Sequence, residues 1–159
     1  MENQIKNLWP KIEIDGFSVS VPKDILLRQA DYLGESTKNI LTARVASGVL
    51  PPIHNPDEEQ KEGYNVSYID DEGQDEDNQP AESRIKLRFI VSAPMLNYQF
   101  ELLSVIHSMI TPYPAKLICN IISKHYRIEE KEKFVQVLEE IFNTEKVQNI
   151  LKTLIAQSQ

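Results

Sequence analysis

The sequence predicts an α+β fold: a mostly antiparallel sheet of three or four strands, with an N-terminal helix and a C-terminal helical pair. Three observations point there. Apolar and polar residues alternate through "RIKLRFIV" and again from Tyr98, with Pro94 to Asn97 between the two runs. Period-two patterning broken by a short loop is the mark of half-buried strands joined as a hairpin. The C-terminal part changes to helical spacing, with Phe134, Val137, Leu138, Ile141 and Phe142 on one side of a first segment and Val147, Ile150, Leu151, Leu154 and Ile155 on one side of a second. Finally, 159 residues with 41% apolar and 26% charged side chains suffice for one hydrophobic core, so residues 1–159 are expected to form a single domain.

The first element is "SVPKDILLRQADYLGES". Ser20 can cap it, Pro22 suits a first helical turn, Ile25, Leu26, Gln29, Tyr32 and Leu33 share a side, and Gly34 is expected to end it. "NILTARVAS", Asn39 to Ser47, is rich in β-branched residues and predicts a strand halted at Gly48. In the hairpin, a loop of Pro94 to Asn97 sets Ala93 opposite Tyr98, Val91 opposite Phe100 and Phe89 opposite Leu102. That register puts both apolar sets on one face, whereas a slip by one residue would send one set to the other side. A helix over Leu96 to Ile110 is the rival reading. "AKLICNIIS" after the "TPYP" turn predicts a further strand, and Asn143 with Thr144 supplies the break between the closing helices.

The net charge of −7 is unevenly spread. Residues 54–83 hold eleven acids against Lys61 alone, giving −10, which leaves thirteen acids and sixteen bases, or +3, for the rest. So acidic a stretch, with few apolar residues, cannot bury enough surface to offset its ordering entropy, and a mobile, solvated insert at about 55–83 is expected. It does not carry an EF-hand loop: counting from Asp75, the sixth residue is Pro80 and the twelfth Lys86, where Gly and Glu are required. Tyr64 and Tyr68, with Val66 and Ile69, are the side chains through which it would order against a partner.

Nothing in the chain has the spacing of a catalytic motif. His54, His107 and His125 match no zinc or metalloprotease pattern, and each reads as an ordinary structural residue. Cys119 sits in the apolar "LICNII", the setting of a small core filler; a reactive thiolate needs a polar or cationic one. With five glycines and no Gly-rich loop, a phosphate cradle is not expected, nor is any cofactor. "PDEEQK", Pro56 to Lys61, superficially resembles the Pro-Asp and Glu-x-Lys elements of a metal-dependent nuclease family. There the elements lie on adjacent strands, whereas here they are contiguous.

"YLGESTKNILTARV", "FIVSAPMLNYQFELLSVIH" and the "PYP" tyrosine together resemble a set of small uncharacterised bacterial proteins with no assigned activity, over most of the chain. The resemblance implies a bacterial cytosolic origin and carries no functional residue with it. The absence of an apolar run near the roughly 18 residues of a membrane span, and of a signal-peptide core, also predicts a cytoplasmic protein without membrane contact. The expected function is non-catalytic binding or regulation through a protein partner. The expected surface is the polar side of the hairpin, with Arg88, Ile90, Gln99, Glu101 and Leu103, because Ile90 and Leu103 would be apolar residues on that side. The alternative for those two is that they belong to the core. Two other functional readings are a metal-dependent hydrolase or nuclease built from dispersed His and carboxylates, and an acidic inhibitor or immunity-type protein that presents residues 57–77 to a basic partner. Nucleic acid is not the expected partner, since a basic footprint requires Lys and Arg gathered on one face. A free edge strand would allow a homodimer.

Overall fold

A computed structural model describes residues 5–11, 21–52 and 82–159. Its layout is α+β: helix α1 (Pro22–Ser36), five strands, then helices α2 (Lys131–Phe142) and α3 (Glu145–Gln157). The strands are β1 (Thr42–Leu50), β2 (Arg84–Ala93), β3 (Tyr98–Ser108), β4 (Ala115–Cys119) and β5 (Lys124–Ile128). They form an antiparallel meander in the order β1-β2-β3-β4-β5, so the sheet has five strands where the sequence predicted three or four. The additional strand comes from "AKLICNIISKHYRI", read as one strand plus a connection. Ser123, with its φ of 53°, turns the chain after Cys119, and Lys124–Ile128 returns antiparallel beside β4. In β5 only Tyr126 and Ile128 alternate with polar residues, too short an apolar set to mark a strand.

Helix α1 begins with Pro22 in its first turn and buries Ile25, Leu26 and Ala30. Gly34 does not end it; the helix runs on to Ser36. A Cβ at Gly34 would lie 3.0 Å from Asn39 Oδ1 in the turn that folds back over it, so a larger residue there requires the Asn39 side chain to shift. Within that turn Lys38 and Asn39 adopt left-handed φ of 53° and 61°, and Thr37 Oγ1 donates to the Leu33 carbonyl at 2.8 Å. Strand β1 starts at Thr42 and continues through Gly48 to Leu50 at the edge of the sheet, where a glycine need not stop pairing.

The β2–β3 hairpin has the expected loop, a 3-10 turn over Pro94–Leu96 closed by Asn97 at φ 50°. Ala93 pairs with Tyr98 and Val91 with Phe100, as the loop dictates. The register then shifts. Phe89 faces Leu103 instead of Leu102, because the extra residue in β3 makes a bulge opposite Phe89 and Ile90. Beyond it, Leu103 and Val105 share the inner face with Phe89 and Leu87. The helical alternative for Leu96 to Ile110 is thereby replaced by a strand.

The three helices pack on the inner face. Leu26, Leu87, Phe89, Leu103, Leu117 and Phe134 belong to one apolar cluster, extended by Val137, Leu138 and Ile141 from α2. Each such side chain contributes roughly 1.5–3 kcal/mol on burial. A smaller cluster at the hairpin end joins Leu41, Ala93 and Leu154. The acidic insert expected at about 55–83 falls almost wholly on residues outside those described, as do Tyr64, Tyr68 and His54.

Candidate binding surface

Strand pairing sorts the strand residues into two faces, since directly paired residues point the same way. One row of the outer face runs Gly48, Lys86, Ile106, Lys116, Arg127 across all five strands. The next row runs Ala46, Arg88, Ser104, Ile118, His125. Arg44, Ile90 and Glu101 form a third row, and Leu50, Arg84 and Ser108 a fourth. Among the described strand residues, six strong bases, Arg44, Arg84, Lys86, Arg88, Lys116 and Arg127, therefore share this face with the acid Glu101, and Glu82 and Glu129 reach it from just beyond the strands.

The local cause is plain in β2. Arg84, Lys86 and Arg88 alternate with Ile85, Leu87 and Phe89, so burying the apolar set under the helices presents three cations roughly 6.7 Å apart on the other side. Neighbouring strands, about 4.8 Å apart, bring Lys116 and Arg127 alongside. Arg44, Arg88, His125 and Arg127 are exposed, whereas Arg84, Lys86 and Lys116 are half-buried. Glu101 is engaged: Arg88 Nε donates to its Oε1 at 2.8 Å. At the lower end, Ser108 Oγ donates to Glu82 Oε2 at 2.7 Å. Arg127 Nε also meets the Glu129 carboxylate just beyond β5.

Of the residues expected to form the partner surface, Arg88, Gln99 and Glu101 do lie together on the outer face. Ile90 lies on the same face but is only 4% exposed, and Leu103 is 1% exposed on the inner face. Both are therefore core residues, and neither offers exposed apolar area. For Leu103 the reason is the bulge, which turns it towards the helices. Sequence reasoning did not assemble Arg44, Arg84, Lys86, Lys116, His125 and Arg127. The triple alternation in β2 was legible, but gathering the others required the pairing of β1, β4 and β5.

Among the described residues, the groups considered for chemistry are held apart or sealed. His107 belongs to the inner-face row with Ile85 and Ala115, and His125 to the outer face, so the two do not converge. His107 Nδ1 lies 2.7 Å from the Ser108 carbonyl. Cys119 is fully buried and its thiol donates to the Leu102 carbonyl at 3.3 Å. Burial pushes that thiol's pKa up, against the opposing effect of backbone hydrogen bonds near Ile122 and Ile121, which disfavours the nucleophilic thiolate. Tyr113, followed by a cis bond to Pro114, has its hydroxyl pushed up to about 12 by burial and then by the Glu132 carboxylate. Tyr126 is raised too, by burial first and then by Glu140 and Cys119, and its hydroxyl oxygen is shielded from solvent. Among the described residues, no three His, Cys, Asp or Glu side chains gather as a metal site, and no helix is long and apolar enough to cross a membrane. No protein-family model, curated protein or solved structure matches the chain.

Proposed function

We propose that this chain is a non-catalytic binding protein whose outer sheet face holds an acidic segment of a protein partner. The observation that carries the reading is the gathering of six bases among the described strand residues of that face, where Glu101 is the one strand acid. Carboxylates arriving there meet guanidinium groups able to form charge-assisted, two-point hydrogen bonds. Ile106, half-buried in the row of Lys86 and Lys116, adds apolar area between the cations, which suits a peptide that mixes acids with apolar side chains.

Nucleic acid is the competing polyanion. Three features favour the peptide. Among the described residues the outer-face rows contain no Phe, Tyr or Trp and only the imidazole of His125, whereas stacking on aromatics supplies much of single-strand affinity. The whole chain carries −7, so its long-range field opposes a large polyanion even though one face attracts anions locally. The half-buried Ile106 is of little use to a phosphate backbone. The test is a competition on the full chain, with a labelled glutamate-rich peptide displaced either by the unlabelled peptide or by an oligonucleotide of equal charge. Displacement by the peptide at lower concentration is the expected result; preferential displacement by the oligonucleotide would replace the reading with a nucleic-acid one. No binding of either would remove it.

A further inference from the structure

We propose that the chain's own acidic segment, residues 54–83, binds the outer sheet face of the same molecule and competes there with an acidic partner. The inference rests on the reading of that face as a site for acidic peptides and adds its regulation. Charge is the first observation behind it. The six bases of the described strands outnumber Glu101, Glu82 and Glu129 on and beside the face, which leaves a local excess of +3. Residues 53–81 hold ten acids against Lys61 alone, a net −9. Six of these acids, Asp70, Asp71, Glu72, Asp75, Glu76 and Asp77, follow directly on Tyr68 and Ile69, the mixture of carboxylates and apolar side chains that a face with Ile106 between its cations suits.

The second observation is where the segment leaves and rejoins the body. Strand β1 ends at Leu50 and β2 begins at Arg84, and these two are paired in the outer-face row that also contains Ser108. Both ends of the connection therefore start from one margin of the basic face. The third is that the last acid of the segment already lies on that face. Ser108 Oγ donates to Glu82 Oε2 at 2.7 Å, and the Met109 backbone N–H donates to the Ser83 carbonyl at 3.1 Å, so this end of the segment runs beside the end of β3.

Length permits the rest. The 29 residues from 53 to 81 can span up to about 95 Å when extended. Five strands about 4.8 Å apart put the outermost pair only about 19 Å from each other, so a path across the face and back is well within reach. Single carboxylate contacts on a solvent-open surface are weak, but a tether sets the effective concentration of the segment on the order of millimolar. An external peptide of the same chemistry then meets a face that is open only part of the time, and its apparent affinity falls by that fraction.

The experiment measures a labelled glutamate-rich peptide against three full-length proteins. The first is the unaltered chain, and the second carries Asp70→Asn, Asp71→Asn, Glu72→Gln, Asp75→Asn, Glu76→Gln and Asp77→Asn. The third neutralises six exposed helix acids, Asp31, Glu35, Glu132, Glu139, Glu140 and Glu145, in the same way, so that both variants carry the same net charge. The expected result is measurable binding by all three, at least tenfold tighter in the segment variant than in the helix control, with the gap shrinking as salt rises. Equal affinity in the two variants would overturn the proposal and leave the face standing as a peptide site. A gap that opens only as the protein concentration is raised would put the segment on a neighbouring copy and overturn it too. Absence of peptide binding by all three proteins would remove the reading of the face itself, and this inference with it.

Discussion

The inner and outer faces of the sheet are made from alternate residues of the same five strands, yet they follow different rules. The inner face is apolar over its centre, where three helices cover it and its side chains are fixed by packing. The outer face has no such lid among the described residues and carries a lattice of cations spaced by the pleat. Burial of the first set forces the second set outwards, so the charged surface is a geometric consequence of the core. What differs is what each face contributes: apolar burial stabilises the fold, whereas the bases of the outer face, Arg88 with its solvent-open partner Glu101 among them, add little stability. Ile90 and Ile118 blur this division, since they belong to the outer face and are still buried, at 4% and 5%.

The largest effect that would sharpen the comparison is truncation on the inner side. Phe134→Ala removes a fully buried ring and should cost about 3–5 kcal/mol in urea unfolding. A loss below about 1 kcal/mol would mean that the helices are not packed as described. Ile90→Ala should cost about 2–4 kcal/mol although it lies on the outer face. If it behaved instead like an exposed residue, with a change under about 0.5 kcal/mol, the outer face would be uniformly wet.

Alkali offers a third probe. The Tyr113 hydroxyl ionises near 12 in the folded chain against an ordinary 10, so the folded state holds its proton where the unfolded state has lost it. Its contribution is complete below pH 10 and disappears as pH rises from 10 through about 12. Tyr113→Phe should flatten that part of the stability profile; an unchanged slope would assign the effect elsewhere, with the raised Tyr126 as the next suspect. The smallest effect belongs to the outer face. A double-mutant cycle on Arg88 and Glu101 should give a coupling of about 0.2–1 kcal/mol, because the pair is open to solvent and screened by salt.

These contrasts also show what one dimension can carry. The helices were legible because their apolar spacing is local: Phe134, Val137, Leu138 and Ile141 all face the core, and α3 has the expected limits. The hairpin loop was legible because Pro94 and Asn97 have local turn chemistry. The bulge was not, since an inserted residue leaves the composition of β3 unchanged and only alters which residues face inwards, and Leu103 was placed on the wrong side for that reason. The fifth strand escaped because its apolar set is short. The basic face lay beyond reach for a different cause, since Lys116 and Arg127 approach Lys86 only through three successive strand pairings, each of which has to be known.

The most direct measurement is the affinity of a labelled glutamate-rich peptide for the full chain and for the triple reversal Arg44→Glu, Lys86→Glu, Arg88→Glu, read across a salt series. The substituted side chains all leave from the outer face, so folding should persist, as circular dichroism and urea unfolding would verify. The account predicts binding that weakens steadily with salt and at least a tenfold loss in the folded reversal variant. Equal affinity in both proteins, or binding indifferent to salt, would contradict it.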